Sequence, residues 1–186
     1  MSAEFSSPMR DRIVAMYGTD MLHKSIISIR GGAGVLPALL GGGQFKTVLE
    51  IGTYRGVGAA EISQYVDRVI TIDLKHGKLE RLGEKHDRHA FWRSVGADNV
   101  EFFGVEDDEE KAHIVRRLEF DFALIDGAHD HTVRNDFALV RRCGNVLFHD
   151  FDRRGRRELD YVIDFIETLP PHQLTPMDIF CMWRNG

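Results

Sequence analysis

One segment constrains the fold of this chain more than any other: Lys46 to Gly58, with the sequence KTVLEIGTYRGVG. An apolar run, Val48 to Ile51, ends in a glycine-rich turn, and a helix-like segment, Ala59 to Val66, follows it. In parallel α/β proteins, a strand, a glycine turn and a helix in this order present backbone N–H groups to a ligand. Glycine suits such a turn because it lets the chain bend tightly and lets a ligand approach the backbone. The segment therefore predicts a site for a nucleotide-like cofactor.

Strand-like and helix-like segments alternate along the rest of the chain. Alternation with short links predicts an α/β fold of the Rossmann-like kind, with a mostly parallel sheet and helices on both faces. The tail from His172 to Trp183 can add one or two edge strands, and Pro176 argues against a central position for its own strand. Strands are predicted at Thr47–Ile51, Arg68–Asp73, Val100–Phe103, Phe122–Asp126 and Asn145–Asp150. Helices are predicted at Gly58–Val66, Lys75–His89, Asp107–Leu118, His131–Arg142 and Arg157–Thr168.

Length and composition favour one domain over residues 1–186, with a helical N-terminal segment (1–45) and an α/β core (46–186). A hydrophobic fraction of 43% and a charged fraction of 28% are typical of soluble globular proteins. The net charge of −5 argues against nonspecific nucleic-acid binding, which needs a basic face. The two cysteines are far apart and the N-terminus does not resemble a signal peptide, so a cytoplasmic location is expected. No membrane association is expected, because glycine, arginine and proline interrupt the apolar stretch Ile26–Leu40.

Acidic residues lie at or near the carboxyl ends of the five predicted parallel strands. In an open parallel sheet, ligands bind beyond these ends, so the acids should converge on one cleft. A carboxylate at the end of the second strand can accept hydrogen bonds from both ribose hydroxyls of an adenosine. In chain order the five residues are Glu50, Asp73, Glu106, Asp126 and Asp150.

Two cofactor classes compete for the glycine turn. The spacing of Gly52, Gly56 and Gly58 also occurs in short-chain dehydrogenases, which bind NAD(P) and need a Tyr-x-x-x-Lys pair for proton transfer. No tyrosine of this chain has a lysine four positions later. The dehydrogenase alternative therefore lacks its catalytic pair.

Four motifs, which span about Thr47 to Asp152, resemble those of class I S-adenosylmethionine-dependent methyltransferases. The resemblance is greatest to the small-molecule O-methyltransferase branch that includes catechol and macrolide-sugar enzymes. Each motif is modest alone, but their order and spacing together are fairly specific. The motifs are VLEIGTYRG from Val48, VITID from Val69, FALIDGAH from Phe122 and VLFHD from Val146.

The resemblance implies a role for each matching residue at the cofactor site. Gly52, Tyr54 and Gly56 would line the methionine part of S-adenosylmethionine, with Glu50 beneath the turn. Asp73 would hold the ribose. Gly58 departs from the catechol type, which has a serine there, so backbone N–H groups would hold more of the cofactor carboxylate. Glu106 and Asp107 would lie near the adenine, and Asp126 would border the cofactor.

The resemblance also implies a catalytic group made of Asp126, His129, His149 and Asp150. The two aspartates match carboxylate ligands of Mg²⁺ in the metal-dependent branch, where an ion orients and acidifies a substrate hydroxyl. His129 matches the catalytic lysine of the catechol type and could act as a general base. Phe151 replaces an asparagine ligand, and Asp152 could supply the missing oxygen. His149 is a poor ligand for Mg²⁺ but suits softer divalent metals, so metal dependence stays open.

The expected function is transfer of a methyl group from S-adenosylmethionine to a hydroxyl of a small molecule. The alternatives are a cofactor-binding protein of the same fold without methyl transfer and, more distantly, an NAD(P)-dependent oxidoreductase. The arginines at positions 153, 154, 156 and 157 suggest an anionic acceptor. A partner subunit could complete the acceptor pocket, so a homodimer is a further expectation.

Overall fold

The computed structural model describes residues 7–22, 32–75, 85–127, 130–151, 157–177 and 179–186. Its centre is a seven-stranded sheet with the strand order β3-β2-β1-β4-β5-β7-β6. The strands are β1 (Thr47–Ile51), β2 (Arg68–Leu74), β3 (Val100–Val105), β4 (Phe122–Ile125), β5 (Asn145–Phe148), β6 (Leu174–Met177) and β7 (Phe180–Arg184).

The first five strands pair in parallel, and β7 and β6 extend the sheet in antiparallel fashion beyond β5. The Rossmann-like expectation is confirmed. β1 has the predicted limits, and the other four parallel strands begin where predicted and end within two residues of the predicted end. The tail forms two strands, and Pro176 lies in β6 at the edge of the sheet.

The described helices are α1 (Pro8–Tyr17), α2 (Gly32–Leu40), α3 (Val57–Ile62), α4 (Arg88–Val95), α5 (Asp108–Val115), α6 (Thr132–Val140) and α7 (Arg157–Ile166). Short 3₁₀ turns cover Thr19–Leu22, Arg141–Cys143 and Pro171–Gln173. Apart from α4, the helices after β1 lie where the sequence predicts them and end before the predicted end, and α3 begins one residue early, at Val57.

Two hydrophobic cores flank the sheet because successive strand residues point to opposite faces. Val48 of β1 belongs to the core that α1, α2, α3 and α4 cover. Leu49, its neighbour in the same strand, belongs to the core that α5, α6 and α7 cover. The N-terminal helices α1 and α2 are therefore part of the packed body, through buried residues such as Ile13 and Leu36.

Of the described residues in the predicted helix Lys75–His89, only the last two are helical. Residues 76–84 lie outside the described residues, while 85–87 are not helical and α4 begins at Arg88. The cause is an N-cap: the Asp87 carboxylate accepts a hydrogen bond from the backbone N–H of Ala90 at 2.9 Å. The apolar residues Phe91, Trp92 and Val95 then face the core at helical spacing.

Within the described part of the chain, none of the helices combines the length and the apolar character that crossing a membrane requires.

Candidate functional site

The glycine turn after β1 packs directly against the end of β4. Gly52 has φ of +102°, and a Cβ atom there would lie 2.3 Å from the backbone oxygen of Asp126. Its N–H donates to the carbonyl of Ile72 at 2.9 Å, and the N–H of Asp126 donates to the carbonyl of Ile51 at 2.9 Å. Only glycine fits this position, and the close contact brings the ends of β1, β2 and β4 to one place.

Asp73, near the end of β2, is bonded to the same turn. One of its carboxylate oxygens, Oδ2, accepts the backbone N–H of Tyr54 at 2.9 Å. The other, Oδ1, accepts the N–H of Leu74 at 2.9 Å. The side chain is 20% exposed, and the Arg88 guanidinium lies 3.7 Å from Oδ2. The predicted ribose-binding acid thus lies beside the turn and remains partly accessible.

Glu50 lies inside the sheet, with 1% of its surface exposed. Thr71 donates to its carboxylate at 2.5 Å, and the hydroxyls of Thr53 and Thr71 are 2.7 Å apart. Burial raises the pKa of Glu50 to about 8, against the hydrogen bond from Thr71, and the nearby carboxylates of Asp126 and Asp73 add to the rise. Glu50 is therefore connected to Thr53 of the turn through Thr71, and it favours the protonated form at neutral pH.

Asp126, His149 and Asp150 form a compact cluster beyond the ends of β4 and β5. The His149 Nδ1 atom lies 2.8 Å from Asp126 Oδ1 and 3.3 Å from Asp150 Oδ2. Burial by itself would lower the pKa of His149, but the two carboxylates outweigh burial and raise it to about 10. His149 and Asp150 are buried, whereas Asp126 is 20% exposed. The cluster holds a positive charge between two negative ones and reaches the surface through Asp126.

The backbone places Asp150 in an uncommon conformation. Asp150 has φ of 62°, a left-handed region that residues other than glycine seldom adopt. Strain of this kind is concentrated at functional sites. Strands β4 and β5 end at Ile125 and Phe148, slightly before their predicted ends. All three cluster residues therefore lie in the loops that follow these strands.

Glu106 and Asp107 follow β3, as predicted for residues near an adenine. Glu106 forms an ion pair with Lys75, with 2.7 Å between Oε1 and Nζ. Asp107 caps α5, because its carboxylate accepts the N–H of Glu110 at 2.8 Å. Glu110 in turn accepts the N–H of Glu106 at 2.7 Å. Both acids thus shape the β3–α5 turn at the carboxyl end of the parallel strands.

The remaining predicted residues divide into described and undescribed ones. His129, Asp152 and the arginines at 153, 154 and 156 lie outside the described residues, and the same holds for the side chain of Arg157. Phe151 packs against the core that contains Phe148, so it offers no ligand atom in place of the asparagine. Tyr54 has φ of 45°, a left-handed conformation that residues other than glycine seldom adopt and that the sequence did not predict.

The donor set of the cluster can hold a divalent cation. One ligand atom each from Asp126, His149 and Asp150 lies within 4.8 Å of the others. Two carboxylate oxygens with one imidazole nitrogen suit Mn²⁺ or a softer metal better than Mg²⁺, which prefers oxygen ligands alone. A cation bound by all three residues would replace a proton of His149, because an imidazole nitrogen coordinates a metal only when it is deprotonated.

Three functional-site neighbours were missed by sequence reasoning: His86, Arg88 and Trp92. Their side chains contact backbone carbonyls of the glycine turn. The only local signal was the Asp87 N-cap with helical apolar spacing after it. That signal predicts a helix, but it does not predict which residues the helix contacts.

Comparison with solved structures supports the fold. The O-methyltransferase TomG from Streptomyces achromogenes, involved in tomaymycin synthesis and solved with SAM, is 17% identical with a TM-score of 0.65, over 97% of this chain and 91% of that chain. An O-methyltransferase from Bacillus cereus, solved with SAH, is 14% identical with a TM-score of 0.68, over 96% and 90%. An rRNA methylase from Streptococcus thermophilus is 16% identical with a TM-score of 0.54, over 81% and 91%.

These likenesses show a shared fold. Because the similar structures include both O-methyltransferases and an rRNA methylase, the fold alone does not identify the methyl acceptor. Among curated protein sequences, none matches. The sequence profile of a family described as methyltransferase domains matches residues 49–151, which is more than half of the 186 residues. The match spans the glycine turn, Asp73 and the aspartate–histidine cluster. The chain therefore belongs to this family of methyltransferase domains.

Proposed function

We propose that this methyltransferase transfers the methyl group of S-adenosylmethionine (SAM) to a hydroxyl oxygen of a small molecule. The observation that carries the proposal is the contact between Gly52 and the backbone of Asp126. It joins the cofactor-type turn to a cluster that can accept a proton or hold a cation. The fold-level likeness to O-methyltransferases solved with SAM or SAH supports the same choice.

The proposed cofactor site follows the sequence expectation. The turn residues Gly52, Tyr54 and Gly56 would border the methionine part of SAM, and Glu50 would support the turn from below. Asp73 would accept the ribose hydroxyls with the carboxylate that now accepts the Tyr54 N–H. The other acids proposed to border the cofactor are Glu106 and Asp107, towards the adenine, and Asp126.

The reaction itself requires alignment and removal of one proton. The acceptor oxygen attacks the methyl carbon, the bond from carbon to sulfur breaks, and S-adenosylhomocysteine (SAH) leaves. The hydroxyl proton passes to a base, for which Asp126 and Asp150 of the cluster and, separately, His129 are the proposed candidates. His149, held between the carboxylates, fixes their orientation. Holding the reacting atoms in line accounts for most of the acceleration, because the sulfonium is already activated.

Asp126, His149 and Asp150 are also the proposed ligands of a divalent cation. The ion would supply Lewis-acid polarisation of the acceptor hydroxyl. Electron paramagnetic resonance of Mn²⁺ titrated into the protein tests this without any substrate. We expect bound Mn²⁺ with the wild type and a clear loss of binding with Asp150→Asn. Mn²⁺ that stays free with the wild type would remove the metal from the proposal.

The central experiment separates cofactor binding from turnover. Isothermal titration calorimetry with SAH comes first, and methylation of a panel of phenols, sugars and hydroxy acids follows. We expect the wild type to bind SAH and to methylate a compound of the panel. Asp150→Asn should abolish methylation. Asp98→Asn, a change at an exposed residue before β3, should preserve it. Absence of SAH binding by the wild type would refute the proposed function.

A second candidate function is cofactor binding without methyl transfer, as in a scaffold or regulatory protein. The specific observation behind it is Phe151, which lies against the core where the metal-dependent branch has a ligand. SAH binding without methylation of any compound in the panel would favour this alternative.

We also propose a domain organisation, binding partners and a cellular location for this enzyme. We expect one domain over 1–186, an anionic small-molecule acceptor, no nucleic-acid partner and a homodimer that helps to close the acceptor pocket. A cytoplasmic location agrees with Cys143 and Cys181, which are both free thiols.

A further inference from the structure

Three side chains from one short segment bond three successive carbonyls of the glycine turn. Arg88 donates from Nε to the carbonyl of Tyr54 at 2.6 Å. The His86 Nε2 atom lies 2.9 Å from the carbonyl oxygen of Arg55, and Trp92 donates from Nε1 to the carbonyl of Gly56 at 2.8 Å. We call these three side chains the turn clamp. The clamp holds the turn from the side of the sheet that α4 covers.

The Trp92 contact is buried and closely fitted. Trp92 is 2% exposed, and a Cβ atom on Gly56 would lie 2.7 Å from its indole ring. Gly56 also has φ of +81°, so glycine is needed there both for the backbone and for the approach of the ring. A buried indole N–H needs a partner, and the Gly56 carbonyl supplies it.

Arg88 connects the turn to the proposed ribose acid. Its guanidinium lies 3.7 Å from the Asp73 carboxylate and 4.8 Å from the centre of the Phe102 ring, and the side chain is 10% exposed. The Tyr54 residue is consequently held at both ends: Asp73 accepts its N–H, and Arg88 donates to its carbonyl. Tyr54 is in the left-handed region, a conformation that costs energy, and these two bonds offset that cost.

We propose that His86, Arg88 and Trp92 are positioning residues that set the affinity for the cofactor by fixing the glycine turn before the cofactor binds. The inference rests on the proposed use of SAM. A turn that is already ordered loses less conformational entropy on binding, and this smaller loss raises the affinity for the cofactor.

The chain contains a matched pair of tryptophans for the test. Trp183 is also buried and donates from its indole to Gln173 at 3.0 Å, but it lies in β7, on the opposite face of the sheet. Trp92→Phe and Trp183→Phe each remove one indole hydrogen bond and keep an aromatic ring. By calorimetry with SAH we expect W92F to bind about three- to tenfold more weakly, the loss that one hydrogen bond gives, and W183F to bind like the wild type.

Amide hydrogen exchange of the ligand-free protein is the second measurement, read at residues 52–58. We expect faster exchange there in W92F and unchanged exchange in W183F. Equal exchange of this turn in the wild type and W92F, or unchanged SAH affinity of W92F, would overturn the inference. If the wild type does not bind SAH, the proposed function fails, while the exchange comparison still decides whether the clamp orders the turn.

Arg88→Lys provides a second variant should W92F not fold. Lysine keeps the positive charge near Asp73 but lacks the Nε donor that bonds Tyr54. Arg93→Lys, an exposed change in the same helix, is its control. We expect R88K to weaken SAH binding and to speed amide exchange at 52–58, and R93K to do neither. Identical behaviour of the two variants would refute the role of Arg88.

Discussion

Asp73 accepts the backbone N–H of Tyr54 at 2.9 Å, so the acid near the end of β2 is bonded to the turn that follows β1. The bond turns two separate sequence motifs into one structural unit. A ligand that contacts the acid therefore lies next to the turn, and we expect a change at either place to affect the other.

The first prediction is that Asp73→Ala weakens SAH binding by at least about tenfold, because hydrogen bonds to a charged group contribute about 1.5–3 kcal/mol. Calorimetry measures the dissociation constant directly. The matched control is Asp67→Ala, since Asp67 is 75% exposed and lies just before β2, away from the turn. Equal affinities of the two variants would contradict the assignment of Asp73 to the ribose.

A second prediction compares two glycines that both have positive φ. A Cβ atom added to Gly43, at +67°, would meet open space, whereas one added to Gly52 would lie 2.3 Å from the Asp126 carbonyl oxygen. Gly43→Ala should therefore cost only the backbone strain, about 1–2 kcal/mol. Gly52→Ala should cost about 3 kcal/mol or more in unfolding free energy and should abolish SAH binding. Urea denaturation gives both values, and similar costs for the two variants would argue against the close contact.

Much of this site could be predicted from the sequence, because the carboxyl ends of parallel strands lie at the same edge of a sheet. Glu50, Asp73 and Asp126 were predictable on that basis, and their convergence needed no knowledge of side-chain packing. The Arg88 contact with Tyr54 was not predictable, since it depends on how a segment 34 positions later packs against the turn.

Competing local signals and long-range pairing account for the parts of the fold that the sequence did not predict. Asp87 is the N-cap of α4, so the helix begins after it. This local signal competes with the helical sequence pattern that continues through Asp87. The insertion of β7 between β5 and β6 depends on long-range pairing, such as Val146 with Trp183, which has no local sequence signal.

The third prediction concerns pH and Glu50. Its pKa is raised from 4.5 to about 8 in the folded protein, so its contribution to stability is complete below about pH 4.5 and is lost as the pH rises through about 8. Between these values the unfolding free energy of the wild type should fall relative to Glu50→Gln by up to about 1.4 kcal/mol per pH unit. Urea denaturation from pH 5.5 to 8, with EDTA present, checks the slope.

Glu119→Gln, an exposed change after α5, serves as the control for this titration. Its unfolding free energy should follow that of the wild type at every pH. A constant difference between the wild type and E50Q over the whole range would show that Glu50 is ionised in the folded protein.

The fourth prediction concerns a buried ion pair between α5 and α6. Lys111 Nζ lies 2.6 Å from Asp136 Oδ1, with side chains 10% and 2% exposed, and 2.7 Å from Asp108, which is 52% exposed. Burial raises the pKa of Asp136, although Lys111 opposes this rise, so the carboxylate depends on its partner. Lys111→Met should therefore destabilise the protein by about 3–5 kcal/mol, because it leaves a buried charge without compensation.

Removing both charges at once should restore most of that stability. A pair of apolar side chains avoids the desolvation cost, so Lys111→Met with Asp136→Leu should lie within about 1–2 kcal/mol of the wild type in urea denaturation. Asp108→Asn isolates the exposed partner and should cost less than about 1 kcal/mol, because solvent screens that pair. If the double variant were as unstable as K111M, packing of the lysine stem, rather than the uncompensated Asp136 charge, would explain the loss.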